Sequence, residues 1–430
     1  NSELTLNVDY YHNANTTAND QKTFTRTLAA SEWIPSTRLV DSDNKVNIWS
    51  AKADYEATVF NFARLEAGAK WALSKTANTT SRAETGPSAV NTGTRFKYRE
   101  NIGAAYFSLA AQFGPKWSAK AGLRGEYTNS LGDWITAGDQ SKRSYFDLFP
   151  TAFVGFNPSA ALRFSVSYTR RIQRPSYNTL NPVEYFVDAH TYTVGDPDLR
   201  PSYSDEASFM AGFGQHFSVS TSFSHSSGLF SQLPALKENG DQLLTWANFG
   251  RQNMLALTAN MTELPLAKWL VWTLSCTGLY SDAHTAGLSV NETFTLSCYS
   301  CFTFNFPKDW KVQLDGYYRS PMAYGYFKLH DLYSMNIGVR KTMLDNRLTL
   351  SINLDDVLRS LNTNLDCLGF GSDTVLGNVK SSFIGQKYYS QMLHVGLSWR
   401  FGKAQQTRSR KVGSIDEASR IGSGSGLGGK

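Results

Sequence analysis

Three arginines crowd one short stretch of the chain. Arg170, Arg171 and Arg174 are followed by Pro175, Tyr177, Asn181 and Pro182. A guanidinium binds carboxylates and phosphates through paired N–H donors, so the cluster suits two tasks. It could line the path of an anionic substrate, or it could tie a rigid loop to nearby carboxylates and carbonyls. Pro175 and Pro182 fix φ and stop strand pairing. Downstream, Gly195-Asp196-Pro197-Asp198 reads as a turn, which places Gly195 and Pro197 in the same loop. The loop-anchor reading is the stronger of the two. Other chemistry is lacking in the sequence. The seven histidines are scattered without paired-ligand spacing, and there is no GxSxG, P-loop or GxGxxG. Cys298 and Cys301 form a CxxC in a strand-like run. Residues three apart on a strand face opposite sides, so they cannot grip one metal. No enzyme, metal or cofactor is expected.

The elements around these residues alternate with period two. In 117–128, Trp117, Ala119, Ala121, Leu123 and Tyr127 share one face, while Lys120, Arg124 and Glu126 share the other. In 62–73, Leu65, Ala67, Ala69 and Trp71 oppose Arg64, Glu66 and Lys70. Stretches 49–59, 293–306, 310–319 and 347–354 behave alike. Charges keep to one parity within each strand. A Lys or Arg on the lipid face of a membrane barrel costs about 2–4 kcal/mol near the midplane, and strict parity is what that penalty selects. Lys120, Arg124, Glu126, Arg64 and Glu66 are therefore expected as a lumenal charge ladder across neighbouring strands.

Composition agrees. The chain has 430 residues, 13% aromatic and only 18% charged, against about 25% charged in soluble domains. Mean hydropathy is −0.34, and no apolar run approaches the roughly 18 residues of a transmembrane helix. A barrel fits, because it hides apolar residues at every second position. The net charge of +6 is concentrated after Phe401, so nucleic acid is not an expected partner. The opening SELTLNVDYY lacks the basic and apolar regions of a signal peptide. Either a leader has been removed or the chain begins inside a longer protein.

The expected fold class is all-β: a transmembrane antiparallel β-barrel with short periplasmic turns and long extracellular loops. About 17 strands are counted, with the first two at 2–12 and 22–30. Long polar joints are expected near 30–45, 76–92, 129–142, 171–200, 281–291 and 355–384. The barrel should occupy 1–401, and 402–430 should form a basic, Gly/Ser-rich periplasmic tail. Val395, Leu397, Trp399 and Phe401 alternate up to a terminal aromatic, like a barrel-assembly signal, which places Phe401 at the periplasmic rim. An odd strand count then puts Asn1 on the outer side, and a partner strand is missing.

Residues 164–201 read FSVSYTRRIQRPSYNTLNPVEYFVDAHTYTVGDPDLRP. This run resembles the Bacteroidota "outer membrane protein beta-barrel" group of TonB-dependent receptors, which carry Y-S-R-R-x-x-R-P-x-Y-x-x-L-N-P and then G-N-P-x-L-x-P. Asp196 stands where the group more often has Asn. YRENIGAAYFSL at 98–109, GLRGEYT at 122–128, YFDLFP at 145–150, INLDDVL at 352–358 and WRFG at 399–402 extend the resemblance over nearly the whole chain. It implies the C-terminal part of a barrel of about 22 strands, with the N-terminal plug absent. It also implies bacterial outer-membrane localisation and uptake of a siderophore, cobalamin, glycan or peptide. Implied partners are outer-membrane lipids, the barrel-assembly machinery, a plug and strands or a second chain that closes the barrel, and a surface lipoprotein. Two other functions stay open: a barrel subunit or ligand-binding barrel without transport activity, and a porin-like passive channel.

Overall fold

The computed structural model describes residues 2–26, 32–60, 62–86, 91–186, 191–236, 241–285, 291–324, 327–367, 383–387, 390–401 and 416–421. Seven strands run up and down in chain order: β1 (Ser2–Thr25), β2 (Ile34–Val59), β3 (Ala63–Thr85), β4 (Asn91–Phe113), β5 (Trp117–Trp134), β6 (Asp139–Ser159) and β7 (Leu162–Gln173). Two short strands, β8 (Tyr185–Phe186) and β9 (Thr191–Val194), lie in the loop that follows. The wall resumes with β10 (Ser202–Phe213), β11 (Phe217–Leu236), β12 (Gln242–Ala267), β13 (Leu270–Thr285), β14 (Asn291–Phe306) and β15 (Trp310–Arg319). After the loop strands β16 (Met322–Tyr324) and β17 (Phe327–Leu329) come β18 (Leu332–Met343) and β19 (Leu348–Asp355). Two more loop strands, β20 (Asn362–Cys367) and β21 (Phe383–Lys387), precede the last wall strand, β22 (Met392–Trp399).

The expected all-β antiparallel barrel wall is what forms. One sheet holds eighteen strands, and β16, β17, β20 and β21 make a separate four-stranded sheet. Each wall strand pairs antiparallel with its predecessor. Among the described residues, only the β9–β12 pair is parallel, with Thr191–Val194 running beside Gln242–Thr245. Tight joints all fall at one end of the wall, as between β4 and β5 and between β14 and β15, and the longer joints fall at the other. The first is the turn end of the wall and the second its loop end.

The two segments expected as the first strands, 2–12 and 22–30, are one strand. β1 pairs with β2 without a break from Ser2↔Ala57 to Thr25↔Ile34. This changes the parity. Ser2 lies at the turn end together with Trp399, and not at the opposite end. The polar joints expected near 30–45, 76–92 and 129–142 are likewise mostly strand. β2 and β3 stay paired up to Thr37↔Thr85, and β5 and β6 up to Trp134↔Asp139. The reason is physical. Beyond the hydrocarbon both faces of a strand can be polar, so the apolar alternation disappears while backbone pairing continues. Among the described residues, β1 pairs only with β2, and β22 only with β19, so the wall has two edges.

The wall is inside-out relative to a soluble protein. Large apolar side chains such as Phe107, Leu257 and Leu397 are exposed. Glu100, Glu126, Thr128, Ser74 and Asn78, on the inner face, are buried. Aromatic rings line the outer face near the turn end. Trp117, Phe156, Phe164 and Phe209 form successive ring pairs across β5, β6, β7 and β10, as expected of an interfacial aromatic belt. Val395, Leu397 and Trp399 on β22, and Phe401 beyond it, are all exposed. Cys298 and Cys301 leave β14 three residues apart, and Cys298 stands opposite Cys276 of β13.

The apolar cluster of the described residues sits inside the barrel. Val46 and Ile48 of β2, Phe96 and Tyr98 of β4, and Tyr177, Leu180 and Leu199 of the β7–β10 loop are packed together. Of the segment expected as a periplasmic tail, 416–421 is described. Asp416–Arg420 forms one turn of 3-10 helix, and Ala418 and Ile421 pack against this same cluster. For these six residues the expected periplasmic position is replaced by a lumenal one. Residues 402–415 and 422–430 lie outside the described residues.

Candidate functional site

The β7–β10 loop folds inward because its sequence leaves it little choice. Pro175 stands just past the last pair of β7, Ser202↔Gln173, and the residues between it and Pro182 carry the apolar side chains Tyr177 and Leu180. Burying a side chain of that size is favourable by about 1.5–3 kcal/mol. Tyr177 and Leu180 are 4% and 2% exposed, and Pro175, Asn181, Pro182 and Val183 are buried too. The rings of Tyr98 and Tyr177 lie 6.0 Å apart. Burial pushes the Tyr177 hydroxyl pKa above its ordinary value.

The glycine–proline turn closes this loop on itself. The Gly195 N–H donates to the Asn181 carbonyl at 2.9 Å, and the Asp196 N–H to Thr179 at 2.8 Å. A Cβ at position 195 would lie 2.4 Å from the Asn181 carbonyl oxygen, so the backbones meet only because residue 195 is glycine. Arg143 of β6 holds the far side by donating to the carbonyls of Leu199 and Pro197.

The three arginines do not converge. Arg174 donates to Glu126 at 2.7 Å and to Thr128 at 3.1 Å, on the inner face of β5. Arg124 donates to the other oxygen of Glu126 at 2.5 Å. Glu126 is buried and Arg174 nearly so, with side-chain exposures of 9% and 12%. Arg170 lies over the ring of Tyr203 at 5.6 Å and stands 3.9 Å from Asp205. Arg171 leaves the opposite face of β7, is exposed, and makes no ion pair among the described residues. Each arginine therefore has a different setting: one anchors, one packs and one is free to meet solvent.

The lumenal charges form two groups. Near the turn end, Glu66 accepts from Lys120 at 3.1 Å and from Ser108 at 3.0 Å, with Arg64 at 3.6 Å. Higher up, Arg124, Glu126 and Arg174 join β5 to the loop. Paired charges on adjacent strands neutralise each other, so the lower ladder offers a mixed polar surface. Above it, a cavity of about 560 Å³ lies under the loop, bounded among others by Ile102, Ile172, Arg174, Phe230 and Trp246. Among the described residues, no three His, Cys, Asp or Glu side chains are grouped to hold a metal ion.

Four residues here escape a sequence reading. Lys70 looks like any inner-face charge, yet it is buried and bonded to Asp416 and Glu417. Glu100, within YRENIGAAYFSL, is buried against Arg420. Arg143 carries no local signal for its loop contacts. Asp356, within INLDDVL, accepts from the backbone of Ser360 and Leu361, at 3.0 Å each, and from Ser390. It thereby ties the loop after β19 to the approach of β22. The loop aromatics Tyr185 and Tyr192 are held within the fold. Tyr185 accepts from Asn78 and Asn181, and Tyr192 donates to Asp241 at 2.8 Å.

An inside-out antiparallel wall with a loop packed into its lumen restricts the families that can match. The family model described as outer membrane protein beta-barrel family matches residues 1–399. The chain belongs to this family. Among curated proteins no sequence match was found. Solved structures give the same fold at low identity. The copper transporter OprC has a TM-score of 0.53 at 12% identity, over 82% of this chain and 58% of that one. A structure of the FpvAI–pyocin S2 complex gives 0.56 at 11% identity, over 92% and 55%. The ferric yersiniabactin uptake receptor FyuA of Yersinia pestis gives 0.50 at 12% identity, over 93% and 68%. The chain thus spans less than two thirds of the first two. As a family member it is an outer-membrane barrel of receptor-like fold, which agrees with the resemblance carried by the RRxxRP run.

Proposed function

We propose that this chain is the barrel portion of a TonB-dependent outer-membrane receptor that imports a nutrient bound at the loop end. The observation that carries the reading is the loop-end architecture. A loop locked by buried ion pairs and an apolar cluster closes over a polar lumen and leaves a cavity of about 560 Å³. A passive porin keeps its lumen open as an aqueous channel, whereas a gated receptor needs a closed one. The fold shared with a copper transporter and a ferric yersiniabactin uptake receptor supports the same reading. Arg171, exposed and without an ion pair among the described residues, is the residue of the motif best placed to meet an anionic ligand. Siderophores, cobalamin, glycans and peptides are the ligand classes to compare.

The test is uptake by cells that express the full-length protein, with each labelled ligand class, in the presence and absence of the energising protein. Accumulation of one class that stops when the energising protein or the proton gradient is removed is the expected result. Uptake indifferent to both would overturn active transport, and steady conductance of the purified protein in a planar bilayer would favour the porin-like channel.

The two edges of the wall favour a second element of the reading. Unpaired backbone groups in hydrocarbon cost several kcal/mol each, so we propose that β1 and β22 are joined through further strands. Strands of the same polypeptide and a second barrel chain are the two sources. Purification of the protein from native outer membranes, with its stoichiometric partners, separates them.

A further inference from the structure

The segment Asp416–Ile421 is held in the lumen by contacts of three kinds. At its start, the buried Lys70 ammonium lies 2.8 Å from Asp416 and 2.9 Å from Glu417. At its end, the Arg420 guanidinium pairs with the buried Glu100 carboxylate and lies 4.7 Å over the ring of Tyr177. Between and beyond them, Ala418 and Ile421 pack on the lumenal apolar cluster. The spacing is matched to the wall. Lys70 sits on β3 and Glu100 on β4, so the wall offers a cation and an anion to a segment that begins acidic and ends basic. Reversing the segment would set like charges together.

The same arginine also grips the loop. Arg420 donates to the Pro175 carbonyl at 3.1 and 3.0 Å, and the Tyr177 N–H donates to the Arg420 carbonyl at 3.2 Å. Pro175 and Tyr177 belong to the RRxxRP run. Docking of the segment and closure of the loop are therefore linked, because each state of one changes the contacts available to the other.

We propose that the lumen is a receptor site for this chain's own Asp416–Ile421 segment, keyed by Lys70 and Glu100, and that docking of the segment latches the arginine–proline loop. Release of the segment unlatches the loop and opens the cavity beneath it. Linkage also runs the other way: whatever pulls the loop outward weakens the hold on the segment. The proposal concerns the barrel and does not depend on which ligand, if any, is transported.

Electron paramagnetic resonance on the full-length protein in outer-membrane vesicles tests this. The four cysteines are replaced by serine, and a spin label is attached through Ser419→Cys, an exposed position. The docked segment gives a slow-motion spectrum. Arg420→Glu, a change on the segment itself that leaves the wall intact, should shift the docked-to-free ratio toward free by about tenfold or more, because it faces Glu100 with a like charge. The double change Glu100→Arg with Arg420→Glu should restore the slow component. Lys70→Glu should release the segment, and adding Asp416→Lys and Glu417→Lys should return it. In the released variants, protease cleavage within 174–201 should accelerate. A fast-motion spectrum in the parent protein overturns the proposal, as does Arg420→Glu that leaves the spectrum unchanged. Release of the segment without faster loop cleavage overturns the latch.

Discussion

Replacing Arg174 by glutamine should release the β7–β10 loop, whereas the same change at Arg170 should not. Arg174 is paired with Glu126 at 2.7 Å, and their side chains are 12% and 9% exposed. Removing one partner of a buried ion pair typically costs about 3–5 kcal/mol, because the other charge is left without compensation. Here Glu126 keeps Arg124 at 2.5 Å, so the low end applies, about 3 kcal/mol. That is roughly a 100-fold rise in the equilibrium for loop opening. Arg170 stands 3.9 Å from Asp205, with side-chain exposures of 40% and 31%. A pair so exposed contributes under about 1 kcal/mol, less than roughly a fivefold change. The assay is hydrogen exchange of the Gly195 and Asp196 amides, which are bonded to Asn181 and Thr179 in the closed loop. Purified full-length protein in detergent micelles serves, with the folded wall checked by its shifted migration on unheated gels. Glu126→Gln combined with Arg174→Gln should recover part of the loss, since both charges are then gone. Equal exchange rates in Arg174→Gln and Arg170→Gln would show that burial of the pair does not hold the loop.

Further outcomes follow from the same geometry. Gly195→Ala places a methyl group 2.4 Å from the Asn181 carbonyl oxygen; the loop should loosen by about 1–3 kcal/mol, seen as faster exchange at Asp196. Asp196→Asn should do the reverse at neutral pH. Burial, opposed in part by the Asp198 N–H and raised further by the Asp198 carboxylate, pushes the Asp196 carboxyl above its ordinary range. A raised folded-state pKa means that the closed loop binds the proton more tightly than the open one. The parent loop therefore gains stability as pH falls through the carboxyl range, and its deficit against Asp196→Asn, under about 1 kcal/mol, should vanish there. On the wall, Phe107→Lys puts a charge on the outer face and should cost up to about 2–4 kcal/mol if it lies near the bilayer midplane. Ser108→Lys, its inner-face neighbour beside Glu66, should be tolerated. The folded fraction on unheated gels after reconstitution into lipid compares the two.

Alternation was enough to read the wall. Lys120, Arg124, Glu126, Arg64 and Glu66 keep to one parity because lipid penalises charge locally, strand by strand. That penalty writes itself into every second residue without reference to distant ones. Glycine and proline marked the turns for the same local reason. The reading failed where the penalty ends. Asn13–Gln21, outside the apolar pattern, looked like a joint and is the outer half of β1. The RRxxRP run was legible as a loop anchor, but its sequence makes Arg170, Arg171 and Arg174 look alike. Which of them is buried depends on Glu126, nearly fifty residues away, and on the break of the β6–β7 ladder above Thr151↔Thr169.

What the sequence determined by itself is the solvent each face meets: lipid outside, polar lumen within, water beyond both. Only the closed-up tertiary structure decided which lumenal charges are partners. Lys70 and Glu100 carry ordinary inner-face signatures, and Asp416, Glu417 and Arg420 look like solvated charges in a basic tail. Ion pairs join them across more than three hundred residues, with Lys70, Glu100 and Glu417 buried. A charge removed from water must find its opposite in space, and no period in the sequence encodes a meeting at that separation.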